Sequence, residues 1–213
     1  MITLYGYPKT RSLRVSWLLE ELGVEWQYHL VDLKQGEHFR APFSQLNPRK
    51  KIPTLTDGSL TLSESAAICL YLAERYGQEQ WLPQPGTDAS GKHHQWISLI
   101  TCELEQPLWL MGKHKFALPP ARRVPEVLEC AHWEWQKILE EVDPELPESG
   151  FLLGDHPMVA DLLLAHTLNW AKNFEQPLSE RAEAYRARIC QRPALKRALK
   201  KELAGLPETT IGS

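Results

Sequence analysis

The 213-residue sequence predicts an α/β domain followed by an all-α domain. Three observations carry this. Strands and helices alternate over residues 1–80, a proline-rich connector follows at 81–88, and nearly everything from 89 to 205 has helical period. A polar tail, 206–213, closes the chain.

Ile2 to Gly6 reads as a short strand, followed by a loop at Tyr7-Pro8-Lys9-Thr10. Val15, Leu18, Leu19 and Leu22 repeat at helical spacing, and Gly23 supplies a C-cap. Trp26 to Leu33 is rich in aromatic and branched residues and predicts a second strand. Gly36 to Leu46 is polar and irregular, with room for one helical turn. Two apolar runs, Ile52 to Thr56 and Leu60 to Leu62, flank Asp57-Gly58-Ser59, a strong hairpin signal. A helix then runs from Ser63-Glu64-Ser65 to Gly77, with Ile68, Cys69, Leu72 and Tyr76 inward. A βαβ unit joined to a ββα unit is a thioredoxin-like layout.

Beyond the Trp81-to-Gly86 connector, Trp96, Leu99, Ile100 and Leu104 begin a helical stripe. A second runs for five turns from Val124 to Val142. Pro157 to Ala171 is apolar nearly all round, as a central buried helix should be. Helices at 179–190 and 193–203 complete the second domain.

Composition narrows the function. Hydrophobic residues are 43% and charged residues 24%, with a formal charge of -3. That balance argues against disorder and against a partner made of nucleic acid. No apolar run is long enough to span a membrane, and no secretory leader is visible, so a cytoplasmic protein is expected. Cys69, Cys102, Cys130 and Cys190 are far apart and outside any C-x-x-C, which excludes a zinc ribbon and a dithiol motif. Cys69 and Cys130 sit on or beside apolar stripes and are expected to be buried. His93-His94 lacks a third ligand at metal spacing and is expected to be a solvated pair; no metal is predicted.

Three features suggest a small-anion site. Ser65 lies in a helix first turn, where free N–H groups favour a carboxylate, and Glu64 beside it can accept from an ammonium. Pro53 after Ile52 permits a cis bond that turns the Ile52 backbone toward an extended peptide. His38, Lys50 and Lys51 supply positive charge for a second carboxylate. A plain N-cap, an edge-strand proline and a solvated basic loop are the alternatives, taken one by one.

Asn47 to Leu55 followed by Leu62 to Leu72 resembles the glutathione-binding half of cytosolic glutathione S-transferases, of the serine-type, theta- or delta-like kind. The resemblance implies that Ile52 pairs by backbone with the cysteinyl part of glutathione. It implies a cis Pro53, the γ-glutamyl end on Glu64 and Ser65, and the glycyl carboxylate near His38, Lys50 and Lys51. Where the family carries P-x-S-x-S-x-R-V, this chain reads Pro8-Lys9-Thr10-Arg11-Ser12-Leu13-Arg14-Val15. Thr10 is the first candidate to stabilise the thiolate and Ser12 the second, with Tyr5 and Tyr7 behind them. Thr10 and Ser12 flank a loop-to-helix junction, so their side chains should diverge and only one should reach the sulfur. Gly154 to Leu162 resembles the family's capping motif, with Asp161 present and Met158 in place of the cap hydroxyl. Trp109, Met111, His114 and Phe116 would line an electrophile pocket. The implied function is conjugation of glutathione, as co-substrate and without a metal, to small hydrophobic electrophiles by a homodimer. The alternatives are a glutathione-dependent peroxidase and a non-catalytic glutathione-fold module.

Overall fold

The computed structural model describes residues 1–77 and 80–206. The expected polar tail therefore lies, from 207 on, outside the described residues. The chain forms two compact units, and the last helix returns to the first: 1–82 with 191–206 among the described residues, and 83–190 between them.

In the first unit, β1 (Ile2–Gly6), α1 (Ser12–Leu22) and β2 (Trp26–Leu30) make the βαβ half. A 3₁₀ turn (Glu37–Phe39) and α2 (Phe43–Leu46) lead to β3 (Thr54–Asp57), β4 (Leu60–Ser63) and α3 (Ser65–Tyr76). The sheet order is β2-β1-β3-β4, with β1 parallel to β2 and antiparallel to β3. Leu4 stands at the centre, between Tyr28 and Leu55 in register, and has no exposed surface. The hairpin closes as expected, with Asp57 opposite Leu60 and Gly58 at φ 60°. Asp57 also accepts from the Tyr71 and Tyr76 hydroxyls at 2.8 and 2.5 Å.

Strand β2 is shorter than its composition suggests. The Asp32 carboxylate accepts from the Lys34 and Gln35 N–H groups, while Glu37 accepts from the Asp32 N–H. These local bonds compete with the ladder and turn the chain. Strand β3 likewise begins two residues late, because Pro53 has no N–H to give.

The second unit contains α4 (Asp88–Leu99), α5 (Glu105–Gly112), α6 (Val127–Val142), α7 (Val159–Asn173) and α8 (Glu180–Cys190). π-Turns at Ile100–Leu104 and Lys113–Ala117 flank α5. Helix α7 is the buried centre, with every residue from Val159 to Leu168 shut from solvent. The five-turn stripe starts one turn late, since Pro125 precedes the helix and Val124 is left 45% exposed. Cys130 is exposed, against expectation, because it falls off the Ala131, Trp135 and Leu139 face; Cys69 is buried. Helix α9 (Pro193–Ala204), expected to end the all-α domain, packs against α1 in the first unit.

The missing cap hydroxyl of α7 is supplied from elsewhere. Asp161 accepts from the Met158 N–H at 2.8 Å, one half of a capping box. The other acceptor is His93 on α4, whose Nε2 takes the Ala160 N–H at 3.3 Å. His93 is thus no solvated residue: it is 1% exposed, and burial with its neighbour His94 pushes its pKa down to about 4. Only a neutral imidazole can accept at Nε2. A folded-state pKa below the unfolded value adds stability above pH ~6.5 that is lost as pH falls through about 4. Acid unfolding should show a loss of up to about 3 kcal/mol over that window. His93→Leu should flatten it and cost about 1 kcal/mol at pH 7 for the lost cap. Identical urea midpoints against pH for the two proteins would refute the His93 cap.

Candidate functional site

The turn from β1 into α1 is tied by its own hydroxyls. Thr10 Oγ1 lies 2.6 Å from the Tyr7 carbonyl and 3.0 Å from Ser12 Oγ, and accepts from the Ser12 N–H at 3.2 Å. Ser12 Oγ in turn accepts from the Tyr7 N–H at 3.3 Å. The two hydroxyls therefore meet rather than diverge, because the chain folds back into the helix within one turn. Ser12 has no exposed surface, and a Cβ on Gly6 would sit 2.6 Å from its oxygen. Thr10 keeps some exposure. Burial, then Asp32, pushes the Tyr7 hydroxyl up, so it stays protonated at neutral pH. Tyr5 packs between His29 and Phe43.

The loop before β3 is organised by Asn47, which is 5% exposed. Its amide donates to the Lys51 carbonyl at 2.8 Å and to Thr54 Oγ1 at 3.0 Å, and its Oδ1 accepts from the Arg49 N–H. Ile52–Pro53 is cis. Lys50 sits at φ 57°, and its ammonium is 6.0 Å from the Phe39 ring centre. The His38 ring lies tilted against the same Phe39, their centres 3.9 Å apart, so His38 and Lys50 gather around one aromatic residue. Burial lowers the pKa of His38, so at neutral pH it can hydrogen-bond a carboxylate without a full charge. Lys50 and Lys51 are both exposed.

At the start of α3, Glu64 has φ 72° and ψ 110°, a conformation that costs a non-glycine residue on the order of 1–3 kcal/mol. Its carboxylate stays exposed, 3.8 Å from Arg49 Nη1. Ser65 is the first helical residue, beside N–H groups that the helix itself leaves unpaired. Its Oγ accepts from Arg14 Nη1 at 3.3 Å, and that guanidinium is wholly buried. The first unit thus places Thr10, the Ile52–Pro53 bend and the Glu64–Ser65 corner at the ends of β1, β3 and β4, each locked by a buried polar partner.

Comparison with known proteins agrees with this arrangement. Residues 1–74 match the N-terminal domain of glutathione S-transferases. Glutathione S-transferase 2 of Anopheles gambiae is 40% identical over 79% of each chain. The chain belongs to the glutathione S-transferase family. Rat glutathione S-transferase theta-1 is 33% identical over 66% of this chain, a match that spans only 60% of that relative's length. The disulfide-bond oxidoreductase YfcG of Escherichia coli is 28% identical over 96% of this chain and 97% of its own. A glutathione transferase family member from Pseudomonas fluorescens, solved with two glutathiones bound, is 25% identical with a TM-score of 0.79, covering 93% and 92% of the two chains.

In this glutathione S-transferase family member, two of the residues expected to line an electrophile pocket meet: a Cβ on Gly112 would lie 3.5 Å from both Trp109 and Phe116. Trp109 is half-buried on α5. Met111, on the same helix, has no exposed surface and belongs to the core of the helical unit, so it offers nothing to a ligand. His114 spends Nδ1 on the Val124 N–H at 2.9 Å, and Phe116 is 60% exposed against the edge of Phe174. Three positioning residues are outside the sequence expectation: Arg14, Asn47 and Arg49. All three stand inside the quoted motifs. A buried arginine two residues after Ser12, and an Asn-Pro before Lys50-Lys51, were the available signals.

Proposed function

We propose that this chain is a glutathione transferase whose first unit binds glutathione and activates its thiol. The observation that carries the reading is the Glu64–Ser65 corner. An exposed carboxylate and a helix N-terminus sit side by side, suited to the ammonium and carboxylate of a γ-glutamyl group. The cis Ile52–Pro53 bend suits backbone pairing with the cysteinyl part, and His38, Lys50 and Lys51 suit the glycyl carboxylate. A free thiol titrates near ~8.5, so one hydrogen bond from Thr10 raises the reactive thiolate fraction at pH 7. The thiolate attacks an electrophilic carbon, forms the C–S bond and expels the leaving group, by positioning and thiol activation. Trp109, His114 and Phe116 are the aromatic contribution of the helical unit to a small hydrophobic electrophile. The sulfur comes from glutathione: Cys69, buried in the first unit, is pushed up to about 12 by burial.

Glu64→Ala and Ser65→Ala should each weaken glutathione binding by about tenfold or more, at unchanged fold, for loss of a charge-assisted contact. Calorimetry showing wild-type affinity in both would remove the site. Conjugation of an aryl halide by the wild-type protein tests the reaction itself.

A second reading has one specific support, the full-length match to a disulfide-bond oxidoreductase. The same thiolate would attack one sulfur of a disulfide, forming a new S–S bond and releasing the other sulfur as a thiolate that takes up a proton. Turnover of glutathione-mixed disulfides without aryl halide conjugation would favour it; peroxide reduction would use the same thiolate, and binding without any turnover would leave a glutathione-fold module.

We also propose a cytoplasmic homodimer with no nucleic-acid partner, in keeping with the formal charge of -3. Among the described residues no helix is long and apolar enough to cross a membrane. Light scattering should give about twice the 24.4 kDa chain mass at micromolar concentration. A monomer mass would overturn the dimer.

A further inference from the structure

Helix α9 is held to the first unit by a polar rim around one buried acid. At the rim, Arg192 pairs with Glu21 through two bonds of 2.5 and 2.8 Å. Arg197 bonds the Glu20 carboxylate and carbonyl at 2.9 and 2.8 Å. Lys201 donates to the Trp26 carbonyl at 2.8 Å and lies 3.8 Å from that ring's centre. Between these, on the inner face with Ala194, Leu195 and Ala198, is Glu202, with no exposed surface at all.

Among the described residues Glu202 receives a single hydrogen bond, from Ser16 Oγ on α1 to Oε1 at 2.7 Å. Its other oxygen, Oε2, is shut from solvent without a hydrogen-bond partner, and so is the Tyr28 hydroxyl on β2. The Tyr28 ring lies close to the end of α9: a Cβ on Gly205 would be 3.5 Å from it. Tyr28 on β2 and, beyond it, Tyr7 in the loop after β1 are the titratable groups that face this corner from the sheet side. Both are pushed up, first by burial. From α1 come Ser16 inside and Glu20 and Glu21 at the rim; from α9 itself, Arg192, Arg197 and Lys201, each engaged at the rim. Among the described residues no cation is paired with Glu202.

A carboxylate in such a place keeps its charge with one donor and one bare oxygen, which is costly, whereas the neutral acid is not. We propose that Glu202 makes α9 a proton-gated clasp: as a neutral acid it holds the helix on α1 and β2, and on losing its proton it loosens the helix from both. Burial pushes its pKa up to about 7, inside the range where a modest pH change alters the population. The effect is local to the clasp but not remote from the glutathione corner. Ser12 lies one helical turn before Ser16 on the same buried face of α1 and closes the Thr10 turn.

The sign follows from the protons bound. A folded-state pKa raised from 4.5 to about 7 means that the folded chain holds a proton which the unfolded chain has already released. Stability from this group is complete below the unfolded value and drains away as pH climbs through about 7. Between pH 5 and 8 the unfolding equilibrium constant of the wild type should rise by about a hundredfold relative to Glu202→Gln. The amide keeps an acceptor for Ser16 and cannot ionise. Hydrogen exchange adds the local readout. At pH 8, amides of 193–204 should exchange faster in the wild type than in Glu202→Gln, and at pH 5 equally. Parallel stability profiles, or equal α9 protection in the two proteins at both pH values, would overturn the clasp. Should Glu202→Gln fail to fold, Ser16→Ala serves. It removes the donor that favours the ionised form and so raises the folded-state pKa further; the fall in stability should then extend to higher pH than in the wild type and be larger, and an unmoved profile overturns the proposal.

Discussion

Replacing Asp161 by Ala should destabilise the helical unit by about 3–5 kcal/mol. The carboxylate has no exposed surface and accepts three bonds: Leu152 N–H at 2.9 Å, Met158 N–H at 2.8 Å and the Tyr185 hydroxyl at 2.6 Å. These join the start of α7, the preceding loop and α8. Burial raises the Asp161 pKa, and the three hydrogen bonds pull it back. Truncation leaves the buried Tyr185 hydroxyl and two part-buried N–H groups without that acceptor, the buried one alone costing about 1–3 kcal/mol before relaxation. Asp161→Asn keeps the shape but turns an N–H₂ toward one of these donors, so it should cost less than Ala and still more than about 1 kcal/mol. Urea unfolding followed through the buried Trp135 measures both; a loss under 1 kcal/mol for Ala would mean that the three contacts are not made in solution.

Thr10→Val should lower glutathione conjugation at pH 7 by about one to two orders of magnitude, the worth of one charge-assisted hydrogen bond. Its hydroxyl carries one proton, now directed within the turn to Tyr7 or Ser12. To reach a sulfur it must swing away, and Ser12 is placed to hand it a replacement hydrogen bond. Thr10→Ser should therefore retain activity. Ser12→Ala should cost stability more than thiol activation, since Ser12 is fully buried. Thiolate absorbance of bound glutathione against pH decides between them. A normal titration in Thr10→Val with a shifted one in Ser12→Ala would move the role to Ser12.

The hairpin at Asp57-Gly58 and the central helix α7 were legible because each is specified within a few residues. A left-handed turn position needs glycine, and an all-round apolar helix has nowhere to go but inside. The Glu64–Ser65 corner was legible for the same reason, as a local start signal. What escaped reading depends on partners far along the chain. Nothing near His93 says that its ring caps a helix 67 residues later. Met111 looks like a pocket residue until α5 is rotated into the core. The periodicity of 193–204 establishes an amphipathic helix without saying which neighbour receives its apolar face.

That last point bears on how the chain is made. The first unit is discontinuous: its opening residues wait for a helix that begins at Pro193, and the whole of 83–190 is synthesised in between. On a ribosome adding about 5–20 residues per second, the sheet and α1 would stand for several seconds or more with the α9-binding face open. That face carries Ser16, the partner of Glu202, and is otherwise the surface that receives the apolar Ala194, Leu195 and Ala198 of α9. Until α9 arrives that surface stays open to other nascent chains, while the helical unit, continuous in sequence, can close as soon as it emerges.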